Sequence, residues 1–167
     1  LDNRKYLNKI IEIDEKNLRC VVEPGVILDE LNRQLKPFGL WFPVDVSTSS
    51  RATIGGMAGN NSAGGRSIRY GIMRDNVLSI NTILSDGSKA HFGLAKKGMS
   101  GLEKVFPKLI KIAEKNQKEI ETRYPKVLRR VGGYNLDALL PDTLASRPGS
   151  IGNENDINLS HLIVGSE

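Results

Sequence analysis

The sequence predicts a mixed fold in which antiparallel strand pairs alternate with helices, and three local patterns predict it. Apolar, β-branched-rich runs at Ile10–Ile13 and Leu18–Glu23 flank the polar cluster Asp14–Asn17, a strand–turn–strand signature. Between Val26 and Lys36, apolar Ile27, Leu28, Leu31 and Leu35 recur at helical spacing, while Asp29, Glu30, Asn32, Arg33 and Lys36 fill the other face. Asp86-Gly87 then separates the alternating segment Asn76–Leu84 from Ser88–Phe92, a hairpin signal.

The remaining elements follow in order. Pro24-Gly25 ends the second strand, and Pro37 with Gly39 terminates the first helix. The apolar segment Leu40-Trp41-Phe42 leads into a glycine-rich loop whose interior carries a short helix around Gly55–Ala58, and Trp41 reads as a core aromatic. From Gly101 to Arg123, Leu102, Val105, Phe106, Leu109, Ile110, Ile112, Ala113 and Ile120 define one amphipathic helix with Pro107 near its start and a solvated charged face. Pro125 closes it. Lys126–Gly133 is a basic link, Tyr134–Leu140 a short helix, and Pro141–Asn158 an exposed loop. Leu159–Val164 reads as a last apolar strand, and a chain ending beside a strand at Gly165-Ser166-Glu167 is expected to be a cut piece of a longer one. No internal repeat or low-complexity tract is found.

The 167 residues suit one domain, and 39% hydrophobic residues suffice for a core. A net charge of +5 serves an anionic cofactor or acid substrate as well as nucleic acid, and no nucleic-acid recognition motif accompanies it. The single cysteine, Cys20, sits in an apolar run as a buried strand residue and excludes a disulfide within the chain, which fits a reducing compartment. No apolar stretch reaches the roughly 18 residues that span a bilayer, and Leu1-Asp2-Asn3-Arg4 is no signal peptide. A soluble, cytoplasmic protein is expected, with peripheral attachment to the inner membrane left open.

The segment Pro43–Ser67 concentrates glycine, serine, threonine and the pair Asn60-Asn61. Glycines allow close approach of the main chain to a ligand, and successive N–H groups can converge on an anion. Neither the Walker A spacing nor Gly-x-Gly-x-x-Gly is present, so the two commonest phosphate loops are excluded. A flexible connector is the plain alternative. Against it stand the structured flanks, the two asparagines, and apolar Ala52, Ile54, Met57 and Ala58, which an exposed linker does not need. A nucleotide cofactor is the expected ligand.

Val22-Glu23-Pro24-Gly25-Val26, Pro43, Thr53-Ile54-Gly55-Gly56-Met57-Ala58-Gly59-Asn60-Asn61-Ser62, Arg66-Ser67, Tyr70-Gly71, Asn76-Val77, Leu84-Ser85-Asp86-Gly87 and Val164-Gly165-Ser166-Glu167 occur in that order. Together, from about Tyr6 to Glu167, they resemble the FAD-binding PCMH-type domain of the vanillyl-alcohol oxidase family, in its branch of FAD-linked D-2-hydroxyacid dehydrogenases. Arg123-Tyr124-Pro125-Lys126 and Arg129–Asp137 are similar to the large members fused to an iron–sulfur domain. The resemblance implies an α+β fold, a mainly antiparallel sheet flanked by helices, here lacking the N-terminal βαβ subdomain with its first pyrophosphate loop. Residues 1–167 would be a partial domain truncated at both ends.

By position, the resemblance places Pro43, Thr53, Gly55, Gly56, Asn60, Asn61 and Ser62 against the flavin, ribityl and pyrophosphate parts of FAD. Gly71 would close over the cofactor, and Val164, in its strand, would offer backbone hydrogen bonds on the adenine side. Asp45 and Ser49 are weaker candidates, with capping of their own loop as the alternative. For Trp41, flavin stacking is the lesser reading beside the core one. Arg66, Arg69 and Arg74 would neutralise phosphate or an acidic substrate, or be plain surface charge. His91 and His161 fall in strands with structural roles, and no metal site is expected.

The resemblance implies an enzyme, in its intact form, that oxidises a D-2-hydroxyacid such as D-lactate, glycolate or D-2-hydroxyglutarate to the 2-oxoacid by hydride transfer to flavin N5. Electrons would pass to a quinone, a cytochrome or an iron–sulfur domain outside this chain. No residue is assigned as the base. Alternatives are a non-catalytic nucleotide-binding module and another oxidoreductase on the same fold, an alcohol oxidase or enolpyruvyl reductase. The chain alone is expected to be inactive and to bind FAD weakly or not at all.

Overall fold

The computed structural model describes residues 2–95, 100–140 and 157–167. The chain divides into two compact units, Leu1–Met73 and Arg74–Glu167. The strand pairing is local in each. Among the described residues there are two separate two-stranded antiparallel sheets, not the one larger sheet that the resemblance implies.

In the first unit a one-turn helix α1 (Asn3–Tyr6) precedes β1 (Ile10–Asp14) and β2 (Arg19–Val22). Ile13 faces Cys20 and Asp14 faces Arg19, with a bulge between Ile10 and Glu12. The turn is built by Asp14, whose carboxylate accepts from the Asn17 backbone N–H at 3.0 Å, the Asn17 amide at 2.7 Å and Arg19 Nε at 3.0 Å. These bonds hold the Asp14 carboxyl below its usual range, the Asn17 side chain contributing most. Leu18 completes the turn at φ +53°. That is left-handed backbone, costly for a residue with a branched side chain.

Helix α2 (Leu28–Leu35) puts Leu28, Leu31 and Leu35 on its buried face. Leu31 and Leu35 join Val26 in a core against Ile10, Ile13, Val22 and Phe42. Burying side chains of this size stabilises by about 1.5–3 kcal/mol each. The helix runs into a 3-10 turn, Lys36–Phe38, that accommodates Pro37 in its first positions and ends at Gly39 with φ +69°. Cys20 lies in β2 but is half-buried, short of the full burial expected from its apolar neighbours, and that burial pushes its thiol up. Helices α3 (Ile54–Gly59) and α4 (Ser67–Tyr70) complete the unit, α3 covering the short helix expected near Gly55–Ala58.

In the second unit β3 (Ile80–Ile83) and β4 (Lys89–Phe92) form the hairpin expected around Asp86-Gly87, with Ile80 opposite Phe92 and Ile83 opposite Lys89. The Asp86 carboxylate accepts from Ser88 N at 2.9 Å and Ser88 Oγ at 2.6 Å, and Gly87 adopts φ +82°. The segment expected to be one helix from Gly101 to Arg123 is instead a turn followed by α5 (Phe106–Lys115) and α6 (Gln117–Arg123). Asn116 is the break. At φ −108°, ψ 15° it leaves helical geometry, and its side-chain amide donates to the Ile112 carbonyl at 2.7 Å. Asparagine competes for the backbone in this way, which periodicity of the apolar positions does not register. A 3-10 turn at Leu136–Leu139 fits the expected short helix.

The strand expected at Leu159–Val164 is a helix, α7 (Ser160–Ile163). Extended pairing occurs just before it, where Asn158 bridges Leu94 and Leu159 N donates to Gly93 O at 2.8 Å. Asn158 Oδ1 then accepts from Ser160 N at 3.0 Å and Ser160 Oγ at 2.9 Å, turning the chain. Leu159 and Leu162, three residues apart, enter a core with Phe92, Leu102, Ala113 and Leu139. A short apolar run serves a strand or a buried helix equally. Of the loop expected at Pro141–Asn158, residues 141–156 lie outside the described residues.

Replacing Leu18 with glycine is expected to stabilise the first unit by about 0.5–1 kcal/mol, the relief of the left-handed penalty exceeding the added chain entropy. A lower urea midpoint for Leu18→Gly contradicts this. The depressed Asp14 carboxyl contributes stability that is complete above the ordinary carboxylate value of 3.8 and is lost as pH falls through its lower native value. Asp14→Asn is expected to flatten the acid limb of the pH–stability curve, measured by urea unfolding at stepped pH.

Candidate functional site

The glycine-rich loop is built on a backbone pairing inside the first unit. Ile27 and Thr53 form an antiparallel bridge. Leu28 N donates to Ala52 O at 3.0 Å, Ile54 N to Val26 O at 2.8 Å and Gly55 N to Pro24 O at 2.8 Å. The starts of α2 and α3 are thereby laid side by side, and each helix uses the other's entry segment to satisfy first-turn amides. Thr53 completes the cap of α3, its hydroxyl accepting from Gly56 N at 3.2 Å. Glycine at 55 is a packing requirement, because a Cβ there would lie 2.5 Å from Pro24 Cβ. Ser49 belongs to the same junction, its carbonyl accepting from Asp29 N at 3.2 Å.

After α3 the loop folds on itself. Asn60 N donates to Gly56 O at 3.0 Å, Asn61 N to Ala58 O at 3.1 Å and Ser62 N to Met57 O at 2.9 Å, and Ser62 O accepts from Met73 N at 2.8 Å. Asn61 is fully buried at φ +44°, a conformation asparagine tolerates better than other side chains. The Asp45 carboxylate accepts from Arg66 N at 2.9 Å and Ser67 Oγ accepts from Gly64 N at 3.0 Å, so the two ends of the loop are tied together. Gly64 packs directly on the Asp45 carbonyl, where a Cβ has no room. Gly71, at φ +80°, ends α4. Pro43 is half-buried beside fully buried Val44.

Ten of the expected cofactor residues, Pro43, Asp45, Ser49, Thr53, Gly55, Gly56, Asn60, Asn61, Ser62 and Gly71, thus belong to one continuous feature of the first unit. The amides of Gly55, Gly56, Asn60, Asn61 and Ser62 already have acceptors within the chain. What the loop presents outward is different: exposed Gly56, Asn60 and Gly65, beside half-buried Thr53. Nothing lies nearer than 3.8 Å to a Cβ built on Gly65. Bare main chain with hydroxyl and amide groups suits a broad polar ligand, so the donor set fits a flavin nucleotide without an amide nest.

Val164 belongs to the second unit and is not in a strand. It caps α7, donating from N to Ser160 O at 3.0 Å and accepting at O from Asn135 Nδ2 at 2.8 Å. His161 is likewise helical, while His91 in β4 bonds Asn81 Oδ1 through Nδ1 at 2.7 Å. Arg74 is buried beside Asp75 instead of lying on the surface. Trp41 is not a core residue. It is 41% exposed and meets the Tyr70 ring edge-on at 5.1 Å between centroids, while the Arg66 guanidinium stacks over it at 4.9 Å. Twenty-five residues separate Trp41 from Arg66, so no local pattern announces the pair. Among the described residues no cluster of three or more His, Cys, Asp or Glu could hold a metal, and no helix is long and apolar enough to cross a membrane.

Residues 1–93 match the family described as FAD binding domain. The chain belongs to that family. It is 34% identical to a D-2-hydroxyglutarate dehydrogenase of Pseudomonas putida across 91% of this chain and 17% of the relative. It is 42% identical to glycolate oxidase subunit GlcD of Bacillus subtilis across 50% of this chain and 18% of the relative. A mitochondrial D-lactate dehydrogenase [cytochrome] of Kluyveromyces lactis is 41% identical across 53% of this chain and 15% of the relative. The matched part covers less than a fifth of the length of each of these relatives.

Two loop glycines separate packing from exposure in this FAD binding domain. Gly64→Ala is expected to destabilise by about 3 kcal/mol, the scale of overpacking against backbone, whereas Gly65→Ala is expected to stay within about 0.5 kcal/mol. Thermal unfolding of the two variants checks the contrast, and equal melting temperatures would refute it.

Proposed function

We propose that this chain is the FAD-binding part of a longer flavin-dependent oxidoreductase that oxidises a D-2-hydroxyacid to the 2-oxoacid. The observation that carries the reading is a convergence: the chain belongs to an FAD binding domain family, and its relatives are named for D-2-hydroxyglutarate, glycolate and D-lactate. When bound, the cofactor supplies a hydride acceptor at flavin N5. The chain's own residues would hold and orient it. Thr53, Asn60 and the exposed main chain at Gly56 and Gly65 would make the contacts, while Pro43, Asp45, Ser49, Gly55, Asn61, Ser62 and Gly71 would fix the shape of the loop that presents them. The electron acceptor, a quinone, cytochrome or fused iron–sulfur domain, would lie outside these residues.

Because few groups of the loop face outward, the 167-residue chain by itself is expected to bind FAD weakly. The full-length protein should carry a yellow flavin spectrum. Anaerobic addition of D-2-hydroxyglutarate or D-lactate is expected to bleach the flavin band near stoichiometrically. A full-length protein that purifies without flavin, or whose flavin no 2-hydroxyacid reduces, would overturn the reading.

A further inference from the structure

Trp41, Gly65, Arg66, Ile68, Arg69 and Tyr70 line a shallow groove on the first unit. Arg66 covers the Trp41 ring at 4.9 Å and Arg69 covers the Tyr70 ring at 5.3 Å, with the two rings in edge contact. Both guanidinium groups are exposed, and among the described residues neither has a carboxylate within ion-pair distance. Asp45, the single acid of the Pro43–Ser67 loop, accepts at Oδ1 from the Arg66 main-chain N–H. Between the arginines Ile68 is 93% exposed.

We propose that this groove is an interaction surface for an acidic polypeptide partner, carboxylates pairing with Arg66 and Arg69 and an apolar side chain packing on Ile68 and Trp41. Three features favour a protein surface over a small anion. Tryptophan, tyrosine and arginine are the residues that dominate binding energy at protein interfaces. A phosphate or free carboxylate gains nothing from Ile68, whereas a polypeptide can cover it. The cation–π stacks hold the arginine side chains in place, which lowers the entropy lost on docking. The inference stands on the first unit alone; it shares Gly65 with the flavin reading, and the FMN titration separates the two.

Trp41 is the single tryptophan of the chain, so its fluorescence reports this groove specifically. The chain is titrated with a synthetic dodecapeptide of alternating glutamate and leucine, with the lysine–leucine counterpart, with pyrophosphate, with FMN, and with vesicles containing phosphatidylserine. The acidic peptide is expected to shift Trp41 emission saturably, with affinity falling about tenfold or more on raising salt from about 0.05 to about 0.5 M. The Arg66→Gln/Arg69→Gln double variant is expected to lose about tenfold or more, and Ile68→Ser about three- to tenfold, with unchanged circular dichroism. No saturable shift with the acidic peptide overturns the proposal. So does saturation by pyrophosphate, FMN or the vesicles with the peptide inert, or an Ile68→Ser variant that binds the peptide as tightly as the parent.

Discussion

The first unit depends on one backbone pairing, that of Pro24–Leu28 with Ala52–Gly55. It joins segments some 27 residues apart around the Ile27–Thr53 bridge and sets where both α2 and α3 begin. Helix starts leave amides without intrahelical partners, and an unpaired buried amide costs about 1–3 kcal/mol. The pairing answers that cost for both helices at once. It also places Ile54 against Val26, so the end of the hairpin, the α2 core and the glycine-rich loop share one anchor. Gly55 is demanded by this closeness.

A second tie, from Asp45 to the Arg66 amide, closes the loop that the pairing opens. Between the two ties the main chain is largely self-sufficient in hydrogen bonds. For an FAD binding domain this shifts the recognition burden. A loop with its amides committed is stiff before any ligand arrives, and preorganisation lowers the cost of binding. Under the proposed function, specific contacts would come from the few groups that face outward, while the glycines serve close packing at Gly55 and Gly64 and exposure at Gly56 and Gly65.

The second unit follows a different logic, in which asparagine side chains redirect the backbone. Asn116 divides α5 from α6, Asn158 turns an extended segment into α7, and Asn135 holds the α7 terminus through Val164 O. The apolar residues supply the core, and the asparagines decide its local geometry. Both effects are needed to place α7, whose Leu159 and Leu162 bury as helical neighbours although the run reads as well as a strand.

The sequence by itself determined the two hairpins, helix α2 and the short helix in the glycine-rich loop. Their signals are local: a polar turn at Asp14–Asn17, Asp86-Gly87, leucines at helical spacing, and Thr53 three residues before Gly56. The ordered motifs from Val22 to Ser62 likewise made the FAD binding family legible. Tertiary structure alone decided that Trp41 lies at the surface under Arg66, that Arg74 is buried, that Leu159–Val164 coils, and that the loop amides bond inward. Trp41 meets Arg66, the Gly55 amide meets Pro24, and α7 packs in a core with Phe92 and Leu102, all distant in sequence, and periodicity carries no information about which distant groups will meet.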